Sequence, residues 1–171
     1  MQSTNSLIKD LSNEFTLARN TAESAINQVP DSELTWKMDE KSNSIAILIK
    51  HIGGHLLSRF TDFLTTDGQK SFRNRDLEFQ NHPTNRNTLI QSWNKGWNAL
   101  ESTIESLKIA DLHRIVTIRN QPYSVIQALL RALCHTHYHV GQIVELSRMK
   151  SVNWSPITKE PRLENLDKSL Q

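Results

Sequence analysis

Cysteine is nearly absent: Cys134 stands alone, so no internal disulfide can form. Five glycines and five prolines in 171 residues are too few for a turn-rich β-sandwich, whose turns recur every roughly 8–12 residues. No apolar run reaches the roughly 18 residues needed to cross a bilayer, and the opening MQSTNSLIKDLSNEF has no hydrophobic signal core. An excess of one charge is also missing. Twenty basic residues face eighteen acidic ones, a net charge of +2, which argues against nucleic-acid binding despite a pI of 8.8. What the chain does hold is 37% hydrophobic residues, enough for one core in one domain. These features together read as a cytoplasmic protein of a reducing compartment, with neither membrane nor nucleic acid as partner.

The apolar residues recur at helical spacing in four runs. Leu7, Leu11, Phe15, Ala18, Ala22, Ala25 and Val29 define the first, with Thr4 or Asn5 as N-cap and Pro30 as terminator. Ile45, Leu48, Ile49, Ile52, Leu56, Phe60 and Phe63 define the second, behind caps at Ser42–Ser44 and with Gly68 as its stop. Leu89, Ile90, Trp93, Trp97, Leu100, Ile104 and Leu107 share one face of the third, after Thr84, Asn85 and Asn87. The fourth runs from Ser124 to about Lys150. Before it, Arg114–Arg119 alternates polar and β-branched residues, which predicts a short extended segment ending at Asn120-Gln121-Pro122. Helices of roughly 20 to 27 residues, about 30–40 Å long, suit an antiparallel four-helix bundle. The stretch from Gln69 to Leu89 is long for a simple turn and predicts one crossover connection. The expected organisation is thus all-α: a single domain over 1–171, with a core at about 5–150 and a polar tail at 151–171.

Seven histidines are present, and two pairs show His-x-x-x-His spacing: His51 with His55, and His135 with His139. Residues four apart stand one turn apart on the same helix face, so both imidazoles of a pair can reach one ion. His137 projects about 160–200° away from the other two. Thr136 occupies the place where a zinc-protease helix would carry its glutamate, which disfavours a peptidase of that type. A third ligand must come from another helix. His51 is the best candidate, since it borders the apolar stripe of the second run, while His55 could replace it, supplement it or line the site. Three neutral imidazoles with an open fourth position describe a catalytic type of divalent-metal site. The same spacing is also met by half-buried histidines that serve only as hydrogen-bond partners. His82 and His113 read as ordinary exposed residues.

The segments His51-Ile-Gly-Gly-His55, Ser58-Arg59-Phe60-Thr61-Asp62-Phe63-Leu64-Thr65-Thr66-Asp67-Gly68 and His135-Thr-His-Tyr-His139-Val-Gly-Gln142-Ile143 resemble the DinB/YfiT-like superfamily of metalloenzymes. More narrowly, they are similar to a domain-of-unknown-function branch of small bacterial proteins. Arg73–Phe79 and Thr117-Ile118-Arg119 match that branch too, and the likeness spans about Leu7 to Trp154. The resemblance implies a four-helix bundle, commonly a homodimer. It also implies nickel or zinc bound by one histidine of helix two and a later His-x-x-x-His pair, which fall here on His51, His135 and His139. Relatives with known reactions use low-molecular-weight thiols.

Several other residues bear on the site. Gly53-Gly54 weakens its helix by roughly 1 kcal/mol per glycine, which calls for a close helix approach, space above the metal or a local kink. Arg59 and Asp62 either pair on the helix surface or leave Arg59 to orient an anionic substrate. Gln142 can hydrogen-bond a ligand, and Cys134, turned about 100° from His135, reads as a packed thiol. Two functions compete: a metal-dependent enzyme that activates a thiol or water against a small substrate, and a dimeric metal-binding helical module without turnover.

Overall fold

The computed structural model describes residues 4–157. It is mostly helical, with five α-helices: α1 (Thr4–Ile26), α2 (Ile45–Phe60), the short α3 (Arg75–Glu78), α4 (Arg86–Ser106) and α5 (Val125–Lys150). A hairpin of β1 (Ile115–Ile118) and β2 (Gln121–Ser124) precedes α5.

The helix starts are set by short polar side chains that satisfy otherwise unpaired backbone amides. Ser44 accepts from the Ile47 amide, Asn85 from Thr88 and Ser124 from Gln127. The Gln127 side chain returns the bond to the Ser124 amide, closing a capping box. Helix α2 is buried on nearly all sides, as a central element should be. It packs against α4, while α1 packs against α5 and α5 also meets α2. Phe15, Phe60, Trp93 and Trp97 fill the space between them. Both tryptophans are core residues, and the Trp93 indole donates to Glu23 at 2.9 Å.

The diglycine is explained by a close helix crossing. A Cβ on Gly53 would come within 2.8 Å of the Ser92 carbonyl oxygen, and one on Gly96 would overlap the Gly53 backbone. Backbone contact between α2 and α4 compensates for the weak helix propensity.

Two expectations need correction. Helix α2 stops at Phe60 instead of running to Gly68: Asp62 turns left-handed (φ 48°), a conformation that aspartate tolerates better than most residues. Phe63 is nevertheless buried, so the apolar pattern outlasts the helix. The extended segment is half of an antiparallel hairpin, and Pro122 belongs to β2, opposite Thr117. Proline is admissible there because a two-stranded ladder has only edges. Arg119 and Asn120 supply the two left-handed turn residues (φ 55° and 59°). Asp67 hooks this turn to the segment after α2, accepting from the Arg119 and Asn120 amides at 3.0 and 2.8 Å. The start of the polar tail, expected either to lie over the helices or to fray, does the former: Trp154 and Ile157 pack on the core, and Ser155 exchanges hydrogen bonds with Gln28. The remainder of the expected tail, 158–171, lies outside the described residues.

No described helix is long and apolar enough to cross a membrane.

Candidate metal centre

Helices α2 and α5 bring three imidazoles together. The Nε2 atom of His135 lies 3.3 Å from Nε2 of His51 and 3.2 Å from Nε2 of His139. One ligating nitrogen from each of the three falls within 4.8 Å of the others. The spacing of His135 and His139 puts both on one face of α5, and the α2–α5 contact brings His51 to that face. His51 and His139 are buried, and His135 is half-buried.

The outer ring nitrogens fix how these imidazoles are presented. Glu78, at the end of α3, accepts from His51 Nδ1 at 2.9 Å. Burial alone would raise the Glu78 pKa, but hydrogen bonds from Arg73 and His51 outweigh it and keep the carboxyl below its ordinary range. Arg73 holds the carboxylate with two bonds of 2.7 and 2.8 Å. An ionised Glu78 can only accept, so the proton of neutral His51 sits on Nδ1 and its Nε2 presents a lone pair. The Gln142 carbonyl oxygen, 3.2 Å from His139 Nδ1, orients the second ring in the same way. Two lone pairs therefore face His135 Nε2, which has at most one proton to offer. His135 Nδ1 is itself buried without a partner among the described residues.

Two of the three nitrogen separations suit a divalent cation, and the third pair lies within 4.8 Å. Zinc–nitrogen distances of about 2.0–2.1 Å in a tetrahedron place neighbouring nitrogens about 3.3 Å apart. The two short separations have that length. Protonation is opposed: burial, reinforced by His139 and His51, pushes His135 down to about 3. Burial also lowers His139, against the pull of Gln142 and with a further push from His51. Neutral imidazoles are the ligating form.

The chain matches the family described as protein of unknown function (DUF1572) across residues 2–162. It belongs to that family. A comparison with curated proteins gives no match.

In this DUF1572 chain the remaining sequence candidates also lie at or near the centre. The His55 ring lies against His135 with centroids 4.2 Å apart, and its Nε2 is buried without a partner among the described residues. Burial first, then the neighbouring His135, Arg59 and Arg73, pushes its pKa well below the histidine range. It lies outside the cluster of three. Arg59 lines the adjoining cavity and makes no ion pair with Asp62 among the described residues. His82 and His113 are exposed, as expected. Cys134 is exposed too, which corrects the packed-thiol reading: one residue before His135, the helix has already rotated it away from the core.

Sequence reasoning missed the roles of Glu78 and Arg73. Gly54 makes room for them, since a Cβ there would collide with the Glu78 carboxylate. The second glycine of the pair thus serves the site, whereas the first serves the helix crossing.

Proposed function

We propose that His51, His135 and His139 bind one divalent cation, zinc or nickel, with a coordination position open to a small molecule. The supporting observation is the convergence of three Nε2 atoms whose partners on the outer side, Glu78 and Gln142, orient two of the rings. A cation held there would act as a Lewis acid and lower the pKa of a water or low-molecular-weight thiol that joins it. Glu78 keeps the His51 proton on Nδ1, and Arg73 keeps Glu78 ionised. Gln142 positions His139, while His55 and Arg59 border the approach to the rings. The reaction class is transfer of the activated thiol, or addition of water, to a small electrophilic substrate. This reading agrees with the resemblance to DinB/YfiT-like metalloenzymes, with the helices acting as a four-helix bundle in one domain and the chain as a homodimer.

Metal analysis of protein purified without a polyhistidine tag tests the proposal. One equivalent of metal is expected per chain, and His139→Ala should lose it with little change in thermal midpoint. A collapse in stability on metal loss would mark a structural ion. Absence of metal from protein supplied with zinc and nickel would reject the centre. Turnover of thiol and electrophile that persists unchanged in His139→Ala would reject the enzymatic role.

A further inference from the structure

A cavity of about 400 Å³ opens beside the histidines, with His51, His55 and His135 in its wall. That volume suits a small molecule. The rest of the wall carries six cationic side chains, Arg59, Lys70, Arg73, Arg75, Arg119 and Arg131, and among the described residues not one carboxylate. Such a concentration is unexpected in a chain whose overall charge is only +2.

Some of these cations are already engaged. Arg73 holds Glu78, Lys70 bonds Thr66 Oγ1 at 2.7 Å, and Arg75 lies over the Phe79 ring. Four wall guanidiniums have no acidic partner among the described residues: Arg75, and nearer the histidines Arg59 from α2, Arg119 from the hairpin turn and Arg131 from α5, one turn before His135 and over the Tyr123 ring. Arg59 is the most telling, because its Nη1 is buried with no hydrogen-bond acceptor among the described residues. A buried donor on a charged group without an acceptor is unfavourable. Burial, with Arg73 and Arg119 adding to it, accordingly lowers the Arg59 pKa to about 10. Asp67 is the nearby acid that opposes this shift, but its oxygens are occupied by the backbone amides of Gln69, Arg119 and Asn120. Among the described residues no free carboxylate answers this charge, which leaves it open to an anion from solution.

We infer that this cavity binds a small molecule carrying at least two negative charges, on carboxylate or phosphate groups, held by Arg59, Arg119 and Arg131. Guanidinium groups match both anions through paired N–H donors. Three separate elements supply the clamp, so the anionic end lies against the arginines while the opposite end reaches the imidazoles. The inference rests on the metal-centre reading for that reacting end, whereas the charge argument is independent of it.

Calorimetric titration of the full chain, both zinc-loaded and metal-stripped, with glutarate, glycerol 2-phosphate and neutral glycerol separates these points. At least one anion is expected to bind the metal-stripped protein at concentrations up to about 10 mM, more weakly as salt rises, while glycerol does not bind. Glutarate alone would identify a dicarboxylate, glycerol 2-phosphate alone a phosphate, and both a site that reads charge. Arg59→Gln should weaken binding about tenfold through loss of a charged hydrogen bond. Arg119→Gln, on an exposed turn where folding is not at risk, should weaken it in the same direction. Failure of both anions to bind, or binding unchanged in both variants, would overturn the inference. Binding that requires zinc and ignores the arginines would also overturn it and leave the metal centre standing. Arginine-dependent binding to protein that takes up no zinc would reject the metal centre and retain the anion site.

Discussion

Glu78 links the candidate metal centre to its surroundings, since among the described residues it alone joins His51 to a fixed positive charge. Glu78→Gln keeps the shape but lets the amide reorient, so His51 is no longer held in one tautomer. Zinc affinity should fall about 10- to 100-fold, as is usual when the group behind a ligating histidine is altered. Competition against a chromogenic chelator measures this, and unchanged affinity would leave Glu78 a purely structural role. Gly54→Ala should act in the same direction by displacing the carboxylate. At this scale His135 and His139 were legible because helical periodicity forces a one-turn spacing onto one face, whereas the choice of His51 rested on its place beside an apolar stripe and left His55 open as an alternative. Glu78 was not, because it comes from a short helix inside a long connection, where no repeating pattern says which side chain turns inward. Cys134 misled for another reason: its turn of about 100° from His135 suggested a packed thiol, but that rotation points it to solvent.

Among the elements, the α2–α4 crossing and the hairpin are the parts whose energetics can be tested separately. Gly96→Ala forces a methyl group onto the Gly53 backbone, and overpacking of this kind costs about 1–3 kcal/mol. Urea unfolding should show that loss, and a midpoint equal to that of the parent would mean the helices can separate at little expense. The hairpin depends on Asp67. Burial would raise the pKa of this carboxyl, but the backbone amides of Asn120, Gln69 and Arg119 outweigh it and bring the value to about 2. A depressed folded pKa means the stabilisation is complete above the unfolded value near 3.8 and disappears as pH falls towards 2. The thermal midpoint of Asp67→Asn should therefore lie below that of the parent at pH 6, with the gap closing between pH 4 and 2. A gap independent of pH would show that ionisation of Asp67 is not what secures the turn. The hairpin itself was only half legible. Alternation revealed β1, but Pro122 looked like a terminator, and the Arg119-Asn120 turn lacks the glycine that usually announces such a connection.

Across the whole molecule, the four long helical runs could be read from apolar spacing and caps, because both are local properties. Which helix lies against which could not. The pairing of α2 with α4 depends on small residues 43 positions apart in sequence, Gly53 and Gly96, whose complementarity is visible only in three dimensions. The same holds for the cationic cavity. Its arginines come from α2, the connection after it, the hairpin and α5, and each taken alone resembles a solvated surface charge. Near-neutral net charge concealed a strongly one-signed interior wall.

The backbone contact at Gly53 has a mechanical consequence. With no side chain between them, α2 and α4 cannot slide or roll past one another without collision, so His51 rides on a fixed datum. Any adjustment that accommodates cargo must then be taken up by α5 or by the connection carrying Glu78. Amide exchange should accordingly slow in those segments on loading, while the α2 backbone around Gly53 stays as protected as before.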